Sequence, residues 1–190
     1  ALAHKLPPDT DPDQRARAHL LALGVATLGQ NPVLWHAGVE LLRSKSLDRN
    51  SYDSGDWFNA LDFSERDNTF ARGLPLKADN QAKWTYMKPL LANPALKPSA
   101  ADIRNASRQA EVLLKIRQST PLFHLGTAAR VQQKVTFPIG GPDQTPGVIV
   151  MRIDDTVVAR GGQDQDELGR VDHIDLHGPL GVVDLLHDRE

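Results

Sequence analysis

The run ELLRSKSLDRNSYDSGDWFNALDF, residues 40–63, decides how the rest of the chain is read. It carries Tyr52, Trp57, Phe58 and Phe63 among Arg43, Lys45, Arg49 and the acids Asp48, Asp53, Asp56 and Asp62. No helical or strand periodicity runs through it. Ser, Asp, Asn and Gly recur every few residues, which predicts a long irregular loop. Such loops are uncommon inside compact domains and are either functional or disordered, and disordered segments are poor in aromatics. Rings that meet C–H faces, with fork-shaped donors and acceptors that meet hydroxyls, suit a sugar. The same residues also suit a loop that turns its aromatics inward and solvates its charges. Residue chemistry alone leaves both open.

Composition narrows the classes. The 190 residues make room for one domain or two small ones with a buried core. A formal charge of -2 and a pI near 6.4 offer no electrostatic case for nucleic acid or a membrane surface as partner. The absence of cysteine excludes disulfides and thiolate metal sites and fits any compartment. No apolar run approaches a membrane span, and residues 1–20 lack the basic-then-apolar layout of a signal peptide. Localisation stays open. Of the aromatics (Phe 5, Trp 3, Tyr 2), all but Phe123 and Phe137 fall between Trp35 and Tyr86, which places a binding surface in that half.

Upstream of the central loop, Asp11-Pro12-Asp13-Gln14 reads as a helix start, with Asp11 as N-cap and Gln14 completing a capping box. Ala18, Leu21, Val25 and Leu28 recur at helical spacing, Leu20 and Leu23 broaden the stripe, and Gly29 stops the helix. Residues 33–37 (VLWHA) are a short continuous apolar run, predicted as a strand covered on both faces. His36 within it is predicted as a hydrogen-bonded core histidine rather than a metal ligand. Helix, short loop, buried strand and then a functional loop is the grammar of a (β/α)8 barrel.

Downstream, residues 77–83 are polar, and Trp84, Tyr86 and Met87 restore apolar anchoring. Residues 88–98 hold three prolines and no period, predicting a packed connector. A second helix opens at Ser99-Ala100-Ala101-Asp102 and ends before Pro121. Ile103, Ala106, Ala110, Leu113 and Leu114 form its predicted buried stripe, with Arg104, Arg108, Glu111 and Lys115 outside. From Leu122 the period changes to two. Val131, Gln133, Val135 and Phe137 alternate with polar neighbours as a half-exposed antiparallel strand, residues 140–147 turn, and residues 148–153 return. Residues 154–170 are acidic without EF-hand spacing, read as a solvated hairpin rather than a calcium loop, and Val171 starts another strand.

The segment LLRSKSLDRNSYDSGDWFNALDF resembles the loop after the last barrel strand of pullulanases and limit dextrinases, starch-debranching members of the α-amylase superfamily. The resemblance continues through DNTFARGLP, WTYMKPLLANPALKPS, LLKIRQSTPLFHLGTA and TPGVIVMRIDD to about Ile174. It implies an α/β then all-β chain. Residues 1–120 would be the C-terminal end of a (β/α)8 catalytic barrel, holding its last helices, last strand and long substrate-side loop. Residues 121–190 would be an incomplete antiparallel β-sandwich, truncated or altered after about residue 174, where the resemblance stops. A whole barrel needs about 250 residues, so a C-terminal fragment is expected.

A retaining glycosidase needs a nucleophilic carboxylate and an acid about 5–5.5 Å apart. The family places these on earlier barrel strands, with a third acid in a His-Asp-Asn motif that does not occur here. No catalytic residue carries over, so the chain alone is expected to be inactive. Nor does the sequence hold a zinc-type histidine cluster, a phosphate loop or a nucleophile elbow, and no metal or cofactor is implied. What carries over is the edge of the substrate cleft. The arginine of the Ser-Leu-Asp-Arg run, Arg49, would bind sugar on the non-reducing side of the cleavage point, with Asp56 among the acids that orient it. Trp57 and Phe58 would stack on sugar or pin the loop, and the stretch around Asp79 and Asn80 would reach the same subsite. Val39 stands where relatives carry a polar residue. The implied partner is a branched α-glucan (starch, pullulan or limit dextrin). Unpaired strand edges make self-association an expectation too. The alternatives are a stand-alone α-glucan-binding module and a purely structural remnant.

Overall fold

The computed structural model describes residues 6–7, 9–142 and 148–154. These fall into two compact units: residues up to Leu23 with Leu34–Val112, and Gly24–Val33 with the residues from Leu113 onward. In outline, a helical region is followed by a small open antiparallel sheet.

Helix α1, Pro12–Thr27, starts where its capping signature predicts. The Gln14 amide N–H donates to Asp11 Oδ1 at 2.8 Å and the Asp11 N–H to Gln14 Oε1 at 3.4 Å. Its buried side is rotated from the expected one. Ala16, Leu20, Leu23 and Thr27 are buried, whereas Leu21 and Val25 are 45% and 58% exposed. The apolar residues wrap most of the way round this helix, so periodicity alone does not choose a face.

Residues 33–37 form no strand, contrary to expectation. Leu34 is 95% exposed, and His36 is a surface residue whose Nδ1 meets the neighbouring Ala37 carbonyl at 3.1 Å, not a core histidine. A buried parallel strand exists only between neighbours that complete its ladder, and the described residues supply none.

The unit that holds the central loop is built on Leu47, Phe70, Met87, Leu91 and Leu96, with Trp84 and Leu90 packed against them. Helix α2 (Asp56–Asn59) is one turn within the loop, and α3 (Lys77–Asn80) is one turn beyond it. Helix α4 (Trp84–Ala92) replaces much of the expected connector and accommodates Pro89. A proline inside a helix forfeits one backbone bond, but the burial of Met87 and Leu91 on the same helix offsets that loss. A 3-10 turn at Pro94–Leu96 follows, capped by the Asn93 side chain.

Helix α5, Ala100–Gln118, opens with a reciprocal cap. Ser99 N–H donates to Asp102 Oδ2 at 2.7 Å and Asp102 N–H to Ser99 Oγ at 3.2 Å. Ile103, Ala106, Ala110 and Leu113 are buried as expected, but Ile116 takes the place given to Leu114, which is 37% exposed. In the second unit Arg117 is buried and its guanidinium donates to three carbonyls: Thr27 and Gly29 at 2.6 Å and Asn31 at 2.9 Å. A cation there answers the unpaired carbonyls and the negative end of a helix.

The alternating run at 131–137 is mostly helix. Thr127 Oγ1 accepts from the Arg130 N–H at 3.3 Å and starts α6, Ala128–Lys134. The cap and a set of good helix formers override the period-two pattern. Strand character is confined to β1 (Val135–Thr136) and β2 (Arg152–Ile153), paired antiparallel with Val135 opposite Ile153. The expected hairpin at 154–170, the strand from Val171 and residues 175–190 lie outside the described residues, apart from Asp154.

Candidate functional site

The central loop is irregular and held from within its own unit. Gly38 turns the chain into it at φ 86, and a Cβ there would lie 2.5 Å from Leu61 Cδ2 and 3.0 Å from Arg43 Cδ. Backbone with positive φ at Leu42, Lys45, Ser46 and Leu47, and again at Glu65, Thr69 and Ala71, shows how far the loop departs from regular geometry. Such residues persist only where their surroundings over-determine them. Asn68 does much of this. Its carbonyl accepts from the Ser44 N–H at 3.0 Å, its Nδ2 donates to the Leu42 carbonyl at 2.8 Å, and its Oδ1 accepts from the Phe70 N–H at 3.1 Å.

Arg43 and Asn59 tie the loop's two limbs. Arg43 Nη2 donates to the Asn59 carbonyl at 2.7 Å and to Asn59 Oδ1 at 3.0 Å, and Ser51 Oγ donates to that same Oδ1 at 2.8 Å. Burial lowers the Arg43 pKa. Asp62 closes the far end by accepting from the N–H groups of Ser64, Arg66 and Asp67 at 2.9, 3.2 and 2.9 Å and from the Ser64 hydroxyl. The Ser64 hydroxyl first, and then these N–H groups, draw its pKa down to about 2. On the entry side, His19 of α1 donates through Nε2 to the Val39 carbonyl at 2.8 Å. Burial pushes this imidazole below its ordinary range, and the bond to Val39 works in the opposite direction.

Four residues were expected to touch substrate, and all four are at the surface. Arg49 is exposed, with no hydrogen bond or ion pair to the described residues, so its guanidinium fork is open. Asp56, in the first turn of α2, is exposed and makes no ion pair with Arg49 among the described residues. Trp57 is 59% exposed, and its ring lies so close over Gly73 that a Cβ there would sit 3.0 Å from Cη2. Phe58 meets the Trp57 ring edge-on at 5.5 Å and is 3% exposed, so Phe58 pins the loop while Trp57 keeps an open face. Arg72 Nη1 donates to the Trp57 carbonyl at 2.7 Å. Asp79 is exposed on α3.

The structure brings two of these segments together through Asp48 and Asn80, both named from sequence but not as a pair. Asp48 precedes Arg49 and is buried; Asn80 follows Asp79 and is buried. Asn80 Nδ2 donates to Asp48 Oδ1 at 3.5 Å and to the Leu76 carbonyl at 3.2 Å. Asn59 and Asn68 were missed, and Arg43 was named only as one of the loop's charges. The signal available was their type: amides in a turn-rich run satisfy local backbone groups.

Among the described residues, no group of three His, Cys, Asp or Glu side chains is placed to hold a metal ion, and no helix is long and apolar enough to cross a membrane.

With this geometry in hand, likeness to known proteins is specific. Residues 65–173 match the family described as alpha-1,6-glucosidases, pullulanase-type, C-terminal. The chain is 46% identical over 151 residues to chloroplastic pullulanase 1 of Arabidopsis thaliana, covering 80% of this chain and 16% of that protein. It is 36% identical over 158 residues to the pullulanase of Klebsiella aerogenes, covering 83% of this chain and 14% of that protein. The crystal structure of Klebsiella pneumoniae pullulanase complexed with maltotriose superposes with a TM-score of 0.72 at 37% identity, over 77% of this chain and 14% of that one. The chain therefore belongs to the pullulanase-type α-1,6-glucosidases and corresponds to their C-terminal portion. It spans only that small share of its relatives' length.

Proposed function

We propose that this chain is the C-terminal portion of a starch-debranching enzyme that hydrolyses α-1,6-glucosidic links in branched α-glucans, and that it furnishes one edge of the glucan cleft rather than the catalytic carboxyls. Residues 1–120 then close a (β/α)8 barrel and residues 121–190 contribute to a β-sandwich. The observation that carries the reading is the open guanidinium of Arg49, presented by a loop whose backbone is fixed by its own unit.

In this reading Arg49 donates paired hydrogen bonds to neighbouring hydroxyls of one glucose, a task its planar fork fits better than an ammonium would. The exposed face of Trp57 takes the C–H side of a sugar ring, and Asp56 and Asp79 accept from hydroxyls. The chain has no His-Asp-Asn motif, and nothing in its loop pairs two carboxyls for nucleophile and acid. Bond cleavage is therefore the task of residues outside this chain.

The test is maltotriose titrated into the purified chain, with pullulan hydrolysis assayed beside it. Arg49→Ala is expected to weaken maltotriose binding by about tenfold or more, since a charge-assisted hydrogen bond contributes about 1.5–3 kcal/mol. No reducing sugar is expected from pullulan. Unchanged affinity would make Arg49 a tether only, and hydrolysis by the chain alone would overturn the division of labour.

A second reading, a stand-alone α-glucan-binding module, is favoured by one feature. The loop's frame, from Gly38 to Asn80, is held within its own unit, by His19 on the entry side and otherwise by residues 34–112, and uses no strand among the described residues. Reading the coding sequence upstream of Ala1 separates the two. A continuous glycosidase frame supports the first and a start codon the second.

A further inference from the structure

We infer that the buried Asp48–Asn80 pair is a positioning latch that holds Arg49 and Asp79 at a fixed separation across the glucan-binding edge. The inference rests on the proposed glucan-binding role of that edge and goes beyond it by naming groups that touch no sugar. Asp48 is 8% exposed and Asn80 3%. Each is the immediate neighbour of a surface residue assigned to substrate: Arg49 after Asp48, Asp79 before Asn80. The two segments are 32 positions apart in sequence and meet through Asn80 Nδ2 and Asp48 Oδ1 at 3.5 Å.

The remaining bonds show what the latch is fastened to. Asp48 Oδ1 also accepts from the Asn50 N–H at 3.0 Å, and Oδ2 accepts from Ser54 Oγ at 3.0 Å. One carboxylate thus fixes the backbone on the far side of Arg49 and the turn that leads into α2. Asn80 spends its other amide hydrogen on the Leu76 carbonyl at 3.2 Å, which fixes the single turn of α3 that displays Asp79. Leu47, the residue before Asp48, is anchored in the apolar core with Met87 and Leu91. No cation pairs with Asp48 among the described residues. A buried carboxylate held only by neutral donors is costly for stability alone, yet it gives three directional acceptor positions at one point. Side chains that grip neighbouring hydroxyls need such a supporting layer, because displacement by about an ångström loosens the contact.

The experiment is titration of maltotriose into the full chain, well below its thermal transition, for wild type, Asn80→Ala, Arg49→Ala and the double variant. Ser54→Ala, which loosens the other carboxylate oxygen, serves as a second probe of the latch. Asn80→Ala is expected to weaken binding by roughly tenfold, the size of one directed hydrogen-bond contact, and to add little once Arg49 is already alanine. Ser54→Ala is expected to weaken binding in the same sense. A residue that merely stabilises the fold would shift the melting temperature and leave affinity in the folded state unchanged. That outcome, for either latch variant, overturns the inference while the glucan-binding reading stands. Full additivity of Asn80→Ala with Arg49→Ala also overturns it. Absence of binding by the wild-type chain overturns the glucan-binding reading and the latch with it.

Discussion

At the scale of single residues, the binding edge depends on side chains that sugar never meets. Gly38 is the clearest case. Its φ of 86 lies where an L side chain is strained, and the space a Cβ would take is already filled by Leu61 and Arg43. Gly38→Ala is expected to destabilise the chain by roughly 1–2 kcal/mol from backbone strain, with the steric displacement adding to it, read as a lower denaturant midpoint. The site residues named from sequence were those with conspicuous chemistry: Arg49, Asp56, Trp57 and Asp79. The surface placement of Arg49, Asp56 and Asp79 follows from their charge. The amides that frame them were illegible because an asparagine in a turn-rich run looks the same whether it caps its own turn or reaches a segment many residues away. Asn68 does both, since it caps Phe70 locally and reaches back to Leu42.

At the scale of elements, legibility follows the range of the forces involved. The starts of α1 and α5 are written in four consecutive residues each, and both were readable before any tertiary contact was known. The expected strand at residues 33–37 was not recoverable, because a strand is defined by partners that those five residues do not contain. At 128–134 a local cap and a two-residue period disagreed, and the cap prevailed. The junction between α1 and the turn before the loop makes a pH prediction. Half-buried His19 has a pKa below its ordinary range, so between that lowered value and about 6.5 the unfolded chain binds the extra proton. Stability is therefore complete above about pH 6.5 and falls as pH drops below it. His19→Gln, which keeps an N–H for the Val39 carbonyl but does not titrate, is expected to flatten the decline in unfolding free energy between about pH 7 and 5. An equal slope in both proteins would show that His19 is not its source.

For the whole molecule, the exposed segment around Leu34 offers, among the described residues, a feature open to association. It joins no ladder, and Leu34 is 95% exposed. An apolar side chain this exposed gains by leaving water against a second copy. Sedimentation velocity is expected to show concentration-dependent self-association of the wild-type chain and a shift to monomer for Leu34→Lys. A wild-type chain that is monomeric at every concentration would remove this segment as an interface. The Arg117 clamp carries a different consequence, one of timing. The carbonyls of Thr27, Gly29 and Asn31 meet their donor only across 86 to 90 positions of sequence. During synthesis at about 5–20 residues per second, the end of the first helix therefore waits roughly 4–18 seconds for the arginine that closes it. Throughout that interval a nascent-chain chaperone, or water, must stand in for the guanidinium.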